Sequence, residues 1–369
     1  MTTYTPKRLG VIGCGNISTA YFNATRTFPI LDIVACADLN MEAAKKAAET
    51  WSIEAVSVDE LLARDDIDII LNLTIPQAHA SVTMQALKAG KHVHLEKPFA
   101  LDRDEGQAVV DLATSTGLRV SCAPDTFLGG GIQTCRKLLD EGAIGKVVAG
   151  TAFMMCPGHE SWHPNPGFYY AKGGGPVFDM ATYYLTALIT LIGPVKAVSS
   201  VAATTYPTRT ITSELRKGEI IPVEVPTHVS STLVFQNGAI ITMVMSFDVH
   251  RHSNHPIELH GEKGSMQVPD PNTFGGDVAL SMSRRDDWNK QELVNGYTDN
   301  MRGIGAADLA YALATGRPHR CHSDMAFHVL DVMQAMHEAS ESGTQVMIGS
   351  SCERPAPLPI GVAGGDLGD

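Results

Sequence analysis

The sequence predicts an α/β protein in two parts: a doubly wound parallel sheet at the N-terminus, then a unit with a mixed or antiparallel sheet. Three observations carry this reading. Apolar runs and helical segments alternate through the first third of the chain, the order that βαβ units produce. A tight strand-to-helix turn, Gly10-Val11-Ile12-Gly13-Cys14-Gly15-Asn16-Ile17-Ser18, opens that alternation. Beyond Ala123-Pro124 the pattern changes to alternating or apolar runs with turn signals such as Asn237-Gly238 between them, which suit antiparallel pairing.

The elements follow in order. Leu9 to Ile12 is a short apolar strand, and the helix expected from Ile17 to Thr27 stops near Pro29, because proline cannot continue it. Ile30 to Ala37 is a second strand ending at Asp38, and Met41 to Trp51 is an alanine-rich helix. A short helix over Asp59 to Ala63 precedes Ile67 to Leu73, a continuous apolar run of the kind a strand shows when helices cover both its faces. His79 to Ala89 is a helix with Gly90 as C-cap. Strands at Val93 to Leu95 and Leu118 to Cys122 flank a helix over Asp102 to Ser115. In the second unit, helices are expected at Ile132 to Asp140, Val177 to Ile192, Arg302 to Ala314 and Asp324 to Ser340. Strands are expected at Val147 to Met155, Lys196 to Ala203, Val229 to Phe235, Ala239 to Phe247, Ile257 to Gly261 and Val278 to Met282. The boundaries read are 1–124 for the first domain, 125–352 for the second, and 353–369 for a Pro/Gly-rich tail expected to be poorly ordered.

Composition narrows the function. A chain of 369 residues with 44% hydrophobic content has material for two buried cores. A net charge of −12 without clustered Lys and Arg disfavours nucleic acid and anionic membranes as partners. Seven scattered cysteines with no Cys-x-x-Cys pair argue against a disulfide framework or a zinc knuckle. The longest apolar run, around Tyr183 to Ile192, is too short to span a bilayer. No secretory signal is read at the start of the chain, so a cytoplasmic location is expected.

The glycine turn points to a dinucleotide. Gly13 permits the tight turn and Gly15 lets backbone N–H groups approach a pyrophosphate at the helix N-terminus. Ser18 stands where a third glycine eases helix–strand packing. Asp38, at the end of the second strand, suits both ribose hydroxyls of NAD, or alternatively caps the next helix. Leu39 and Asn40 follow it, so no basic side chain is at hand for a 2′-phosphate, and NAD is favoured over NADP. Thr74-Ile75-Pro76-Gln77-Ala78-His79 ends the third strand and is expected to border the cofactor through Thr74, Pro76 and His79, since parallel sheets bind ligands beyond their carboxyl strand ends. Glu96-Lys97-Pro98 ends the next strand-like run, and Gly173-Gly174-Gly175-Pro176 leads into Asp179 and Tyr183. A pyrophosphate turn, a lysine at a strand end and a polar pair on a helix together point to hydride transfer.

At these residues the chain resembles the Gfo/Idh/MocA oxidoreductases (glucose–fructose oxidoreductase, inositol dehydrogenase and relatives). The resemblance rests on Gly13-Cys14-Gly15-Asn16-Ile17, Ala37-Asp38, Thr74 to His79, Glu96-Lys97-Pro98, Gly142 to Lys146, Gly173 to Gly175 with Asp179, and Gly316-Arg317-Pro318, in that order. It implies a Rossmann domain followed by an α/β domain on a large open sheet. It implies NAD or NADP chemistry on sugars, polyols or related carbonyls, and a homodimer or homotetramer. By the resemblance, Lys97 would lie by the nicotinamide and the substrate hydroxyl, Asp179 would orient substrate or its partner base, and Glu96, on the cofactor side, would shape with Pro98 the turn that carries Lys97. The family usually carries a histidine four residues after the aspartate; here that position is Tyr183. Residues four apart share a helix face, so Tyr183 can join the site. Two assignments stay open: Lys97 as acid/base with Tyr183 positioning substrate, which we favour, or Tyr183 as acid/base with Lys97 lowering its pKa. Trp162-His163 resembles a Trp-Arg pair that would cover the nicotinamide or a sugar face, and Asp125 falls where a polar substrate contact is often placed.

His159, Glu160 and His163 invite a metal reading, as imidazole and carboxylate are common ligands; polar contacts or surface histidines are preferred, and no metal is expected. His250, His252 and His255 are read as a surface loop. The function expected is an NAD-dependent dehydrogenase of a sugar, polyol or glycoside. The alternatives are a glycoside hydrolase or lyase that uses transient oxidation by bound NAD, and a non-catalytic NAD-binding regulator.

Overall fold

A computed structural model describes residues 4–368. The N-terminal third alternates β1 (Lys7–Ile12), α1 (Ser18–Thr27), β2 (Leu31–Ala37), α2 (Met41–Trp51), β3 (Glu54–Ala55), α3 (Val58–Ala63), β4 (Ile69–Asn72), α4 (His79–Lys88), β5 (His92–Leu95), α5 (Arg103–Thr116) and β6 (Val120–Cys122). The strands pair in parallel in the order β3-β2-β1-β4-β5-β6. Strand order reverses between β1 and β4, so the carboxyl ends of these strands open the crevice in which such sheets bind ligands. Every residue of β4 is buried, as its continuous apolar sequence requires when helices cover both faces. Local signals set the helix starts: Ser57 and Glu60 form a reciprocal capping box on α3, Asn40 caps α2 and Asp102 caps α5.

The second part contains α6 (Gly130–Asp140), β7 (Val147–Met155), α7 (Thr182–Ile192), β8 (Val195–Ala203), β9 (Thr208–Thr210), β10 (Ile220–Pro222), β11 (His228–Phe235), β12 (Ile240–Ser246), β13 (Ile257–Gly261), β14 (Ser265–Val268), β15 (Val278–Ser281), β16 (Asn289–Gln291), α8 (Ile304–Thr315), α9 (Ser323–Ser342) and β17 (Val346–Met347). Its large sheet runs β16-β15-β14-β13-β7-β12-β11-β8-β17, and among these neighbours only β7 and β12 are parallel. Alternation along β11 and β12 decides the two faces. Val229, Leu233, Phe235, Ile241, Met243 and Met245 are fully buried toward the helices, each worth about 1.5–3 kcal/mol of burial. Val201, Ser230, Ile240 and Thr242 face outward and are exposed.

Three differences from the sequence reading have physical causes. The segment expected as one helix from Val177 to Ile192 starts with a π turn, Val177–Ala181, before α7; apolar spacing cannot resolve one extra residue per turn. The helices α8 and α9 lie within the expected second domain and also reach the first: α8 meets β5 and β6, while α9 packs on β8 and α7 and also meets α5 and β6; Gly106 lies so close to Leu330 and Phe327 that an added Cβ would come within 2.9 Å of both. The tail from Glu353 is tied down rather than loose. Leu358, Val362 and Leu367 are buried, Gln133 Oε1 accepts from Leu358 N, and the Pro355 and Ala356 carbonyls accept from Arg136 and Arg320.

Candidate active site

The turn between β1 and α1 is built for an anion. Gly13 has φ of +99°, and a Cβ there would sit 2.6 Å from Leu73 O, so a side chain is excluded on both counts. A Cβ on Gly15 would meet nothing within 4 Å, so the chain leaves open space over this glycine. The N-terminus of α1 has no side-chain cap; Ser18 N and Ala20 N turn to the Gly15 and Ile17 carbonyls, and the helix start presents its positive dipole end toward phosphate oxygens. Asn16 is exposed and Ile17 half-buried on the same lip. Ser18 is buried, and its hydroxyl donates to Gly15 O at 2.7 Å, so the polar group standing in the third glycine's place is satisfied within the turn.

Asp38 spans the end of β2 and this turn. Its Oδ2 accepts from Cys14 N and its Oδ1 from Asn40 N, both at 2.8 Å. These bonds fix the carboxylate, and each oxygen keeps lone-pair capacity for a ribose hydroxyl. The cap of α2 is Asn40, not Asp38. The turn, the open space at Gly15 and the aimed carboxylate fit a dinucleotide.

The residues after β4 divide. Thr74 is half-buried, with its hydroxyl donating to Asn72 Oδ1 at 2.6 Å, and Pro76 opens the short 3₁₀ turn that leads into α4. His79 does not face the crevice. It is 1% exposed, and its ring nitrogens lie 2.7 Å from Pro98 O and 3.0 Å from Thr74 O. The cofactor contact expected of it is therefore corrected: its imidazole joins the turn after β4 to the turn that carries Lys97. Burial lowers its pKa, with the two carbonyls opposing.

Lys97 meets Asp179 across the two halves of the chain. Lys97 Nζ donates to both Asp179 Oδ1 and the Asp179 backbone carbonyl, each at 2.8 Å. Asp179 lies in the π turn Val177–Ala181 that leads into α7. An ammonium has a third N–H, which neither contact uses. Burial opposes the Lys97 charge, but Asp179, Tyr183 and Glu96 more than offset it and hold the pKa above the ordinary lysine value. Burial likewise opposes the Asp179 charge, and Lys97 and His159 pull its pKa down to about 2. Both partners rest charged. Glu96 shapes the turn: its Oε1 accepts from the Tyr21 hydroxyl at 2.8 Å and its Oε2 from Lys97 N at 3.1 Å.

Tyr183 is buried with Lys97 Nζ 5.4 Å from its ring centre. Its pKa is raised, because burial outweighs the opposing pull of Lys97 and Arg302. Lys97 does pull the phenol down, as expected, but burial outweighs that pull, and the phenol rests protonated. Arg302, which sequence reading did not select, opposes the rise of the phenol's pKa with its positive charge, while its guanidinium donates to Asn300 Oδ1 and Asn272 Oδ1.

Asp125 is corrected as well. It is 2% exposed, and its Oδ2 accepts from Gly303 N at 2.9 Å and Gly305 N at 3.0 Å, capping α8. A carboxylate so placed is not offered to a substrate. Trp162 is 61% exposed on the rim, its ring edge-on to His159 and to His163. His163 is half-buried, with Nδ1 accepting from Asn165 N at 3.0 Å. Glu160, weighed for a metal, pairs with Arg209 at 3.2 Å and accepts from the Tyr170 hydroxyl. Among the described residues no three His, Cys, Asp or Glu side chains group to hold a metal ion, and no helix is long and apolar enough to cross a membrane. His250 and His252 are exposed and His255 is half-buried.

A doubly wound sheet, an anion-binding glycine turn and a clamped lysine beside it define an NAD-dependent oxidoreductase. The chain belongs to the Gfo/Idh/MocA family: residues 7–123 match the oxidoreductase family's NAD-binding Rossmann fold and residues 132–267 match the GFO/IDH/MocA C-terminal domain. It is similar to levoglucosan dehydrogenase of Pseudarthrobacter phenanthrenivorans, with 27% identity over 70% of this chain and 72% of that one. It is also similar to D-glucoside 3-dehydrogenase of Escherichia coli, with 22% identity over 93% of this chain and 98% of that one. The structure of a levoglucosan dehydrogenase in complex with NADH superposes with a TM-score of 0.81 at 21% identity, covering 94% of this chain and 100% of that one, a likeness of fold.

Proposed function

We propose that this enzyme moves a hydride between NAD and a hydroxyl-bearing carbon of a neutral sugar, glycoside or polyol. The observation that carries the reading is the Lys97–Asp179 clamp, which leaves one ammonium N–H free beside the crevice. The relatives named for levoglucosan and D-glucoside support the substrate class. When bound, NAD supplies the hydride acceptor and NADH the donor. The residues of the chain do the rest. Gly13, Gly15, Asn16 and Ile17 hold the pyrophosphate and Asp38 the adenosine ribose, while Thr74, Pro76 and Glu96 border the nicotinamide half. Lys97 hydrogen-bonds the reacting oxygen and carries its proton: the ammonium donates its proton to the carbonyl oxygen in reduction, and in oxidation Lys97 takes the hydroxyl proton after first releasing its own third proton to solvent. Asp179 holds Lys97 in place. Tyr183, as a neutral phenol, and His163 orient neighbouring hydroxyls, and Trp162 covers the open side. One alcohol and one NAD⁺ give one carbonyl, one NADH and one proton.

The open face of the second sheet supports assembly as a homodimer or homotetramer, since Val201 and Ile240 stand exposed on it at 73% and 49%. All seven cysteines are free thiols, which suits a reducing cytoplasm. The test is a panel of levoglucosan, methyl glucosides, D-xylose and inositols assayed for NADH formation. Stoichiometric NADH is expected with at least one member. Glycoside cleavage without NADH build-up would instead identify a cofactor-recycling hydrolase, and neither activity would leave only a binding role.

A further inference from the structure

His159 is a side chain at the crevice whose chemistry the reaction above does not use. It is buried, 9% exposed, and neither ring nitrogen has a hydrogen-bond partner. Three aromatic rings enclose it: Tyr169 at 4.0 Å between centroids, Phe247 at 4.5 Å and Trp162 at 5.4 Å. A box of this kind suits a phenylalanine. An imidazole in it leaves polar atoms orphaned, at about 1–3 kcal/mol for each unsatisfied group, and such groups in a native fold call for an explanation.

The explanation is the direction of the ring. His159 Nε2 lies 3.6 Å from Asp179 Oδ2, while the other oxygen, Oδ1, receives Lys97. The separation is longer than a hydrogen bond, yet catalytic contacts are often long before substrate binds and tighten afterwards. The surroundings leave His159 free for this contact. Glu160, its neighbour in the loop, is taken by Arg209 and the Tyr170 hydroxyl, and Arg209 also pairs with Asp248. The His163 ring packs against Trp162, Phe168 and Tyr169, and its Nδ1 is taken by Asn165 N.

We propose that His159 is a positioning residue for hydride transfer, holding Asp179 Oδ2 from the loop after β7 while Lys97 holds Oδ1 from the end of β5. The carboxylate is then gripped at both oxygens, and its rotation, which would swing Lys97 off the reacting oxygen, is blocked. Trp162 closes over the imidazole from the solvent side, so substrate that settles against Trp162 also presses this contact shut. The inference rests on the dehydrogenase reading of Lys97 and Asp179.

Two substitutions separate positioning from packing, because they rank in opposite orders. His159→Phe keeps the ring in its aromatic box and removes the nitrogen. His159→Gln spoils the box but keeps an N–H donor at the reach of Nε2. Wild type, both variants and Lys97→Ala are assayed on the panel member that best supports NAD reduction, with circular dichroism and NADH binding as checks of folding. The expected result is a kcat reduced roughly tenfold or more in His159→Phe, a smaller loss in His159→Gln, and an NAD KM within about twofold of wild type in both. If Phe matches wild type while Gln falls, His159 is packing alone and the inference is overturned. If Lys97→Ala keeps its turnover, or no panel member is oxidised, the dehydrogenase reading fails first and the inference with it. If one variant does not fold, the other decides: a wild-type kcat in Phe, or a loss in Gln as large as that of Lys97→Ala, overturns the proposal.

Discussion

Lys97 and Asp179, 82 residues apart, join through two hydrogen bonds of 2.8 Å from one ammonium, one to the carboxylate and one to the backbone carbonyl of the same residue. The first residue follows β5 at the carboxyl end of the parallel sheet and the second lies in the π turn that leads into α7. Their union places a fixed positive charge at the mouth of the crevice. Two acceptors on one residue also restrict the lysine's rotamers, so the third N–H has a set direction. A charge fixed before substrate arrives stabilises the developing alkoxide without reorganisation.

Replacing Lys97 by Ala should lower kcat by about a hundredfold or more, the ordinary scale of lost acid/base assistance. The affinity for NAD should change little, because Lys97 is tied to Asp179 rather than to the glycine turn. Steady-state kinetics and calorimetric titration of NAD measure the two effects separately. Near-normal turnover in this variant would remove Lys97 from the chemistry.

Asp38→Ala should erode a preference for NAD over NADP. The carboxylate is fixed by Cys14 N and Asn40 N, and a 2′-phosphate would meet its charge with no basic neighbour to offset it. Titration of both nucleotides against both proteins checks this, and tighter binding of NADP by the unmodified enzyme would sink the idea. Gly13→Ala should abolish NAD binding altogether, since both its φ of +99° and its approach to Leu73 O exclude a methyl group.

Tyr183→Phe should raise the substrate KM and leave the pH–rate profile in place. Burial keeps the phenol protonated, with its pKa above the ordinary value, so it serves as a hydrogen-bond partner rather than a base. Loss of a titrating limb with a fall in kcat would transfer the acid/base role to Tyr183. Unchanged kinetics would leave it as packing.

How much of this was legible in the sequence depends on the reach of each interaction. Gly13, Gly15, Asp38 and Lys97 stand at strand ends, where short motifs set backbone and side-chain direction together, so local pattern located them. The roles of Asp125, His79 and His159 depend on distant partners. Asp125 was read as a substrate contact, yet its carboxylate is used by amides 178 and 180 residues away, and no local pattern announces that cap. His79 sits in the expected turn, but a motif does not say which way a ring points, and both its nitrogens are turned to backbone carbonyls. His159 was weighed for a metal because Glu160 and His163 adjoin it; the fold turns each of the three toward a different neighbour. Composition misled once more at the C-terminus, where Pro and Gly suggested disorder while Leu358, Val362 and Leu367 supply buried anchors.

Asp125 should reveal itself in the pH dependence of stability. Burial raises its pKa to about 6, with Gly303 N and Gly305 N opposing, against about 3.9 in an unfolded chain. Between these values the folded state binds the extra proton. The contribution is therefore fully present below about pH 4 and is lost as pH rises through about 6. A shift of about two units corresponds to roughly 3 kcal/mol. Asn cannot titrate, so the stability of wild type relative to Asp125→Asn should fall by about that amount between pH 4 and pH 7. Asp125→Ala should be less stable than Asn across the whole range by about 1–3 kcal/mol, because it orphans buried amides at the start of α8. Urea unfolding of the three proteins at several pH values measures both effects. A wild-type minus Asn difference that stays flat from pH 4 to 7, or that grows with pH, would show that Asp125 is charged in the folded chain throughout and that its two amide bonds outweigh burial.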